Sequence, residues 1–102
     1  MDTIAPINLD ITGVIADISA PYEVNGLKIQ QVIIASKHSQ FNTGFYQVFI
    51  YSAETIAAFW ENYNDKKPPI GITVSAKLQG KKNKKSNYSL TLIYKTHKWI
   101  YS

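Results

Sequence analysis

The 102 residues, 11.5 kDa, leave room for one hydrophobic core, so residues 1–102 are expected to form a single domain. With no cysteine, only two histidines and no arginine, the composition excludes a disulfide frame, a thiolate nucleophile and a cysteine-based zinc site. The net charge of +4 is unevenly spread: residues 1–65 carry two lysines against seven acids, −5, whereas residues 66–102 carry nine lysines and no acid, +9, which suits contact with a polyanion along one edge of the fold.

Residues 9–19 (LDITGVIADIS) are rich in β-branched side chains and predict a first strand, with Gly13 where a bulge or bend is tolerated. Residues 20–26 contain Pro21 and the pair Asn25-Gly26, and predict a hairpin connection to a second strand over 27–37. A polar link over 38–43, with one aromatic, Phe41, leads to a third strand over 44–52. Its period of two puts Phe45, Gln47, Phe49 and Tyr51 on one face and Tyr46, Val48 and Ile50 on the other. Both faces are apolar, and two readings stand. Either the strand is central and covered on both sides, or Val48 and Ile50 enter the core while Phe45, Phe49 and Tyr51 form an exposed aromatic platform around Gln47.

The period then changes. Ser52 suits an N-cap, Glu54 lies where the helix dipole favours an acid, and Ile56, Phe59, Trp60 and Tyr63 share one helical face. A short amphipathic helix is predicted over 53–64, with Phe59 and Trp60 as core plugs, stopped by Pro68 and Pro69. Residues 70–80 predict a fourth strand and 87–100 a fifth, in which Trp99 serves packing or an oligomer contact. Between them Lys81, Lys82, Lys84 and Lys85 repel one another, so a flexible lysine-rich loop is expected at about 80–87. No apolar run approaches the ~20 residues of a membrane span, and the N-terminus shows no secretory pattern. A cytoplasmic protein is the expectation.

Three strands, a helix and two strands make an all-β fold with one short helix. The order matches a five-stranded OB-fold barrel with its helix between strands three and four, a fold whose central strands and loops bind oligonucleotides.

The stretches ITGVIADISAP, IIASKHSQF, FYQVFIYSAETIAAF and ITVSAKLQG resemble the bacterial single-stranded DNA-binding protein family, and the length is similar to that of its small primosomal relative. The resemblance implies single-stranded DNA binding in replication, repair or mobile-element processing, by a homodimer or homotetramer. It places Phe45 where the family has a base-stacking tryptophan, Gln47 where it has an arginine and Tyr51 where it has a stacking phenylalanine, with Phe41 close to another stacking tryptophan. With glutamine at position 47, that phosphate contact is expected to be either weaker or moved to the lysine loop. The sequence ends at Tyr101-Ser102, so a short form without the family's acidic tail is expected.

The residues make a physical case of their own. Sequence-tolerant binding of a single strand needs aromatic faces for the bases and a basic groove for the phosphates. Phe45, Phe49, Tyr51, Phe41, Tyr22 and Tyr88 are the candidate stacking residues, Gln47 lies among them, and Lys77, Lys81, Lys82, Lys84 and Lys85 are the candidate phosphate contacts. Tyr22, Phe41 and Tyr88 equally suit anchoring their loops to the barrel. Lysine, unlike arginine, lacks the rigid fork for reading bases, so little sequence preference is expected. No P-loop, nucleophile elbow or metal-ligand spacing is present, which argues against an enzyme and against any cofactor or metal. Two alternatives remain open: an RNA-binding OB domain, and a protein-interaction subunit whose aromatic face is an oligomer interface.

Overall fold

The computed structural model describes residues 7–37, 42–82, 84, 85 and 87–102. In chain order the elements are β1 (Ile7–Ile18), β2 (Tyr22–Val24), β3 (Leu27–Lys37), β4 (Thr43–Tyr51), α1 (Ala53–Trp60), β5 (Gly71–Lys82) and β6 (Tyr88–Ile100).

β1 serves two neighbours. Its first half pairs antiparallel with β5, from Ile7↔Leu78 to Gly13↔Ile72, and its second half with β3, from Val14↔Ala35 to Ile18↔Val32. Gly13 stands at the hand-over, where the backbones approach so closely that a Cβ there would lie 2.1 Å from the Ala35 carbonyl oxygen. Only glycine allows that approach. A β-bulge between Ile15 and Asp17 adds to the bend.

The remaining pairings close a ring: β3 with β4 and β5 with β6 antiparallel, and β4 with β6 parallel at Val48↔Leu92 and Phe49↔Ile93. The sheet order β1-β5-β6-β4-β3, returning from β3 to β1, is the five-stranded OB barrel, with β2 attached outside to β3.

Three details differ from the sequence reading. Residues 20–26 were expected as a turn, but Tyr22–Val24 pairs with Leu27–Ile29 through a tight turn in which Asn25 and Gly26 take positive φ, 52° and 80°. The sheet therefore has six strands rather than five. The helix lies between the segments predicted as strands three and four, yet in chain order it follows β4. It also stops at Trp60 rather than at residue 64, with Glu61 at its C-cap.

The core follows from strand alternation. Ile11, Val32, Ile34, Val48, Ile50, Ile72, Val74, Ala76 and Leu92 fill the barrel, and α1 closes one end with Ile56 and Phe59. Phe59 is fully buried, with the rings of Trp60, Tyr94, His97 and Trp99 centred 4.7–5.4 Å away; burial of such a side chain contributes about 1.5–3 kcal/mol. Trp99 thus serves packing. The helix begins at Ser52, whose hydroxyl accepts from Thr55 N–H at 3.2 Å. Ser52 takes φ 79°, a left-handed conformation unusual for serine, held by its own N–H donating to the Lys28 carbonyl at 2.8 Å. No helix among the described residues is long and apolar enough to cross a membrane.

Candidate nucleic-acid interface

Residues directly opposite one another on paired strands share a face of the sheet, so register maps the outside of the barrel. Val48 and Ile50 are fully buried, which sends Phe45, Gln47, Phe49 and Tyr51 outward. Of the two readings of this strand, the geometry is that of the platform: Phe45 is 67% exposed, Gln47 is exposed, and Phe49 and Tyr51 are half-buried. The Phe49 and Tyr51 rings lie nearly parallel, 15° apart in plane with centroids at 6.3 Å.

The platform extends in both directions. Phe49 is beside Ile93 of β6, which is opposite Lys77 of β5, which is opposite Asn8 of β1. On the other side Phe49 is opposite Gln31 of β3, and Tyr51 is opposite Ile29, itself opposite Tyr22 of β2. Three polar side chains run along this surface as one chain of hydrogen bonds: Gln47 Nε2 donates to Gln31 Oε1, and Gln31 Nε2 donates to the Tyr22 hydroxyl at 2.5 Å. Nothing in the local sequence marks Gln31 as a site residue. Its parity with Ile29 and Ile33 puts it on the outer face, but only the register with β4 brings it to Gln47.

The β5–β6 hairpin projects past the ring. Pairing continues through Gly80↔Leu90 and Lys81↔Ser89 to Lys82↔Tyr88, so residues 80–82, expected in a loop, are paired strand. Alternation puts Lys81 on the same side as Lys77, and Lys82 with Tyr88 on the reverse, where the Lys82 ammonium stands 5.7 Å from the Tyr88 ring centroid. Tyr88 is 77% and Leu90 73% exposed. Lys84 and Lys85 are exposed in the turn.

Of the predicted site residues, Phe45, Gln47, Phe49, Tyr51, Tyr22 and Lys77 therefore occupy one continuous face, Lys81 extends it, Lys82 and Tyr88 lie on the back of the hairpin, and Lys84 and Lys85 sit at its tip. Phe41 lies outside the described residues. No group of three or more His, Asp or Glu side chains that could hold a metal occurs among the described residues. Among the described residues, burial perturbs two titratable groups, both beside Phe59 rather than on this face: it pushes the Tyr94 hydroxyl up and His97 down.

No family model matches the chain, and no curated protein sequence matches it. Solved structures do. The chain is similar to the mitochondrial single-stranded DNA-binding protein Rim1 of S. cerevisiae in one crystal form at TM-score 0.72 and 18% identity, covering 95% of this chain and 98% of that one. A selenomethionine-labelled structure of Rim1 in a second form gives TM-score 0.73 and 16% identity, covering 96% and 97%. Likeness of this extent at such low identity is likeness of fold.

Proposed function

We propose that this protein binds single-stranded DNA with little sequence preference and is not an enzyme. The observation that carries the reading is the placing of Phe45, Phe49 and Tyr51 on one continuous face bordered by Lys77 and the lysine-bearing hairpin. Unstacked bases lie on the rings, and the ammonium groups take the phosphates as point charges. The Tyr22–Gln31–Gln47 chain offers polar contact between the rings. Fold likeness to a protein named for single-stranded DNA binding supports the same reading.

The protein acts as a homodimer or homotetramer in this proposal. Val14, Val24 and Leu27, at the margins of the aromatic face by register, and Ile18 and Ile70 are exposed apolar side chains, more than a small monomer needs.

Anisotropy titration of labelled oligo(dT) at low salt, alongside duplex DNA and oligo(U) RNA, tests the reading. Oligo(dT) should bind most tightly. Equal affinity for duplex, or no binding at low salt, would overturn it, and tighter binding of oligo(U) would make RNA the ligand.

A further inference from the structure

Ile15 packs against the core opposite the buried Ile34, and strict alternation would turn Asp17 the same way. The bulge between Ile15 and Asp17 accommodates Ala16 as an extra residue and brings Asp17 opposite Ile33 instead, on the outer face. Ile33 is opposite Gln47. Asp17, Ile33 and Gln47 therefore form one row across β1, β3 and β4, running into the aromatic platform.

At this place Asp17, Ile18, Ser19, Gln31 and Ile33 line a cleft of about 100 Å³. Its polar groups are held from behind. Asp17 Oδ1 accepts from the Ile18 N–H at 2.9 Å, and Ser19 Oγ accepts from the Gln31 backbone N–H at 3.0 Å. The Gln31 amide gives one N–H to Tyr22 and its oxygen to Gln47. These bonds leave Asp17 Oδ2 as an acceptor and one N–H of Gln31 as a donor, with apolar walls from Ile18 and Ile33.

A carboxylate set into a surface for a polyanion repels any phosphate that comes near it. The part of a nucleotide it can accept from is an N–H on the base edge, and aspartate pairs in this way with the exocyclic amine of cytosine. Thymine presents N3–H between two carbonyl oxygens, so one carboxylate oxygen would always meet a carbonyl.

We propose that the Asp17–Gln31 cleft takes the edge of one base of the bound strand and prefers a base with an exocyclic amino group, cytosine being the smallest, over thymine. The amine donates to Asp17 and the neighbouring ring nitrogen accepts from Gln31. This rests on the single-strand binding proposed above and adds a modest base preference at one position.

Binding of oligo(dC) and oligo(dT) of equal length to the wild type and to Asp17→Asn tests it, read as the ratio Kd(dT)/Kd(dC). Asparagine keeps the shape and removes the charge, and thermal melting checks that the fold is intact. The ratio should fall about fivefold in Asp17→Asn, with oligo(dC) weakened and oligo(dT) unchanged or tightened. An unchanged ratio, including a gain shared equally by both oligonucleotides, would show that Asp17 only repels the backbone and would overturn the inference while leaving single-strand binding standing. Failure of the wild type to bind either oligonucleotide would remove both.

Discussion

The indole N–H of Trp60 donates to Gln30 Oε1 at 2.8 Å, and Nε2 of the same amide donates to the Ser19 carbonyl at 3.0 Å. One buried glutamine thus ties α1 to β3 and to the end of β1. Replacing it by leucine strands an indole N–H and a carbonyl in the interior, which costs about 1–3 kcal/mol. Urea unfolding of Gln30→Leu should show a lower midpoint with an unchanged slope. A midpoint equal to wild type would mean that water replaces both bonds.

The exposed rings should matter for binding more than for folding. Phe45→Ala should weaken oligo(dT) binding by about 1–3 kcal/mol with little change in melting temperature, because the ring contacts solvent in the free protein. Tyr51→Ala should weaken binding similarly and also lose some stability, being half-buried against Phe49. If native mass falls while affinity per subunit holds, the face is an oligomer contact instead.

If four to six lysines engage phosphates as proposed, they set the salt dependence. At about −0.7 per phosphate on a single strand, the plot of log K against log salt should have a slope of roughly −3 to −4. Lys81→Gln and Lys77→Gln should each reduce it by about 0.7, whereas Lys66→Gln, beyond α1 and away from the aromatic face, should leave it unchanged. Equal effects at all three positions would reduce the lysines to a general field.

Gly13→Ala should be the most damaging single methyl in the chain. The added carbon meets the Ala35 carbonyl carbon at 2.8 Å as well as its oxygen, all of it backbone that cannot turn aside. Overpacking of this kind costs about 1–3 kcal/mol or more. Gly80→Ala, whose nearest contact would be a Leu90 methyl at 3.7 Å, is the matched control and should melt near wild type.

Stability should fall on mild acidification. Burial holds His97 below its usual 6.5, opposed by a hydrogen bond with the Phe59 backbone, and its Nδ1 lies 2.5 Å from the Tyr94 hydroxyl. The unfolded chain takes up this proton near pH 6.5 and the folded chain only at lower pH, so the contribution is complete above 6.5 and is lost as pH falls towards the folded value. Between pH 7 and 5.5 the urea midpoint should drop, and His97→Gln should flatten that drop.

The sequence alone reveals those parts of the fold that local pattern controls. Alternation over 44–52 separates Val48 and Ile50 from Phe45 and Gln47, and the apolar spacing after Ser52 locates α1. Long-range pairing decided what pattern could not. Tyr22–Val24 reads as a turn because it is short and follows Pro21, and it becomes a strand only because β3 offers it an edge. Gln30 and Gln31 are adjacent and chemically identical, yet register sends one inside to Trp60 and the other outside to Tyr22. Four lysines suggested an unpaired tip from residue 80, but backbone pairing continues to Lys82 because their side chains splay to opposite faces. The bulge that turns Asp17 outward leaves no mark in composition.

The parallel join of β4 to β6 connects segments far apart in the chain and is held at two residue pairs, Val48↔Leu92 and Phe49↔Ile93. With so few pairs, this join opens more readily than the long antiparallel ladders on either side of it. Phe49 and Ile93 straddle it, with Lys77 one strand further on. A strand bound as proposed, from Phe49 to Lys77, would cross the join like a splint across a crack, and its occupancy would then reinforce closure of the barrel.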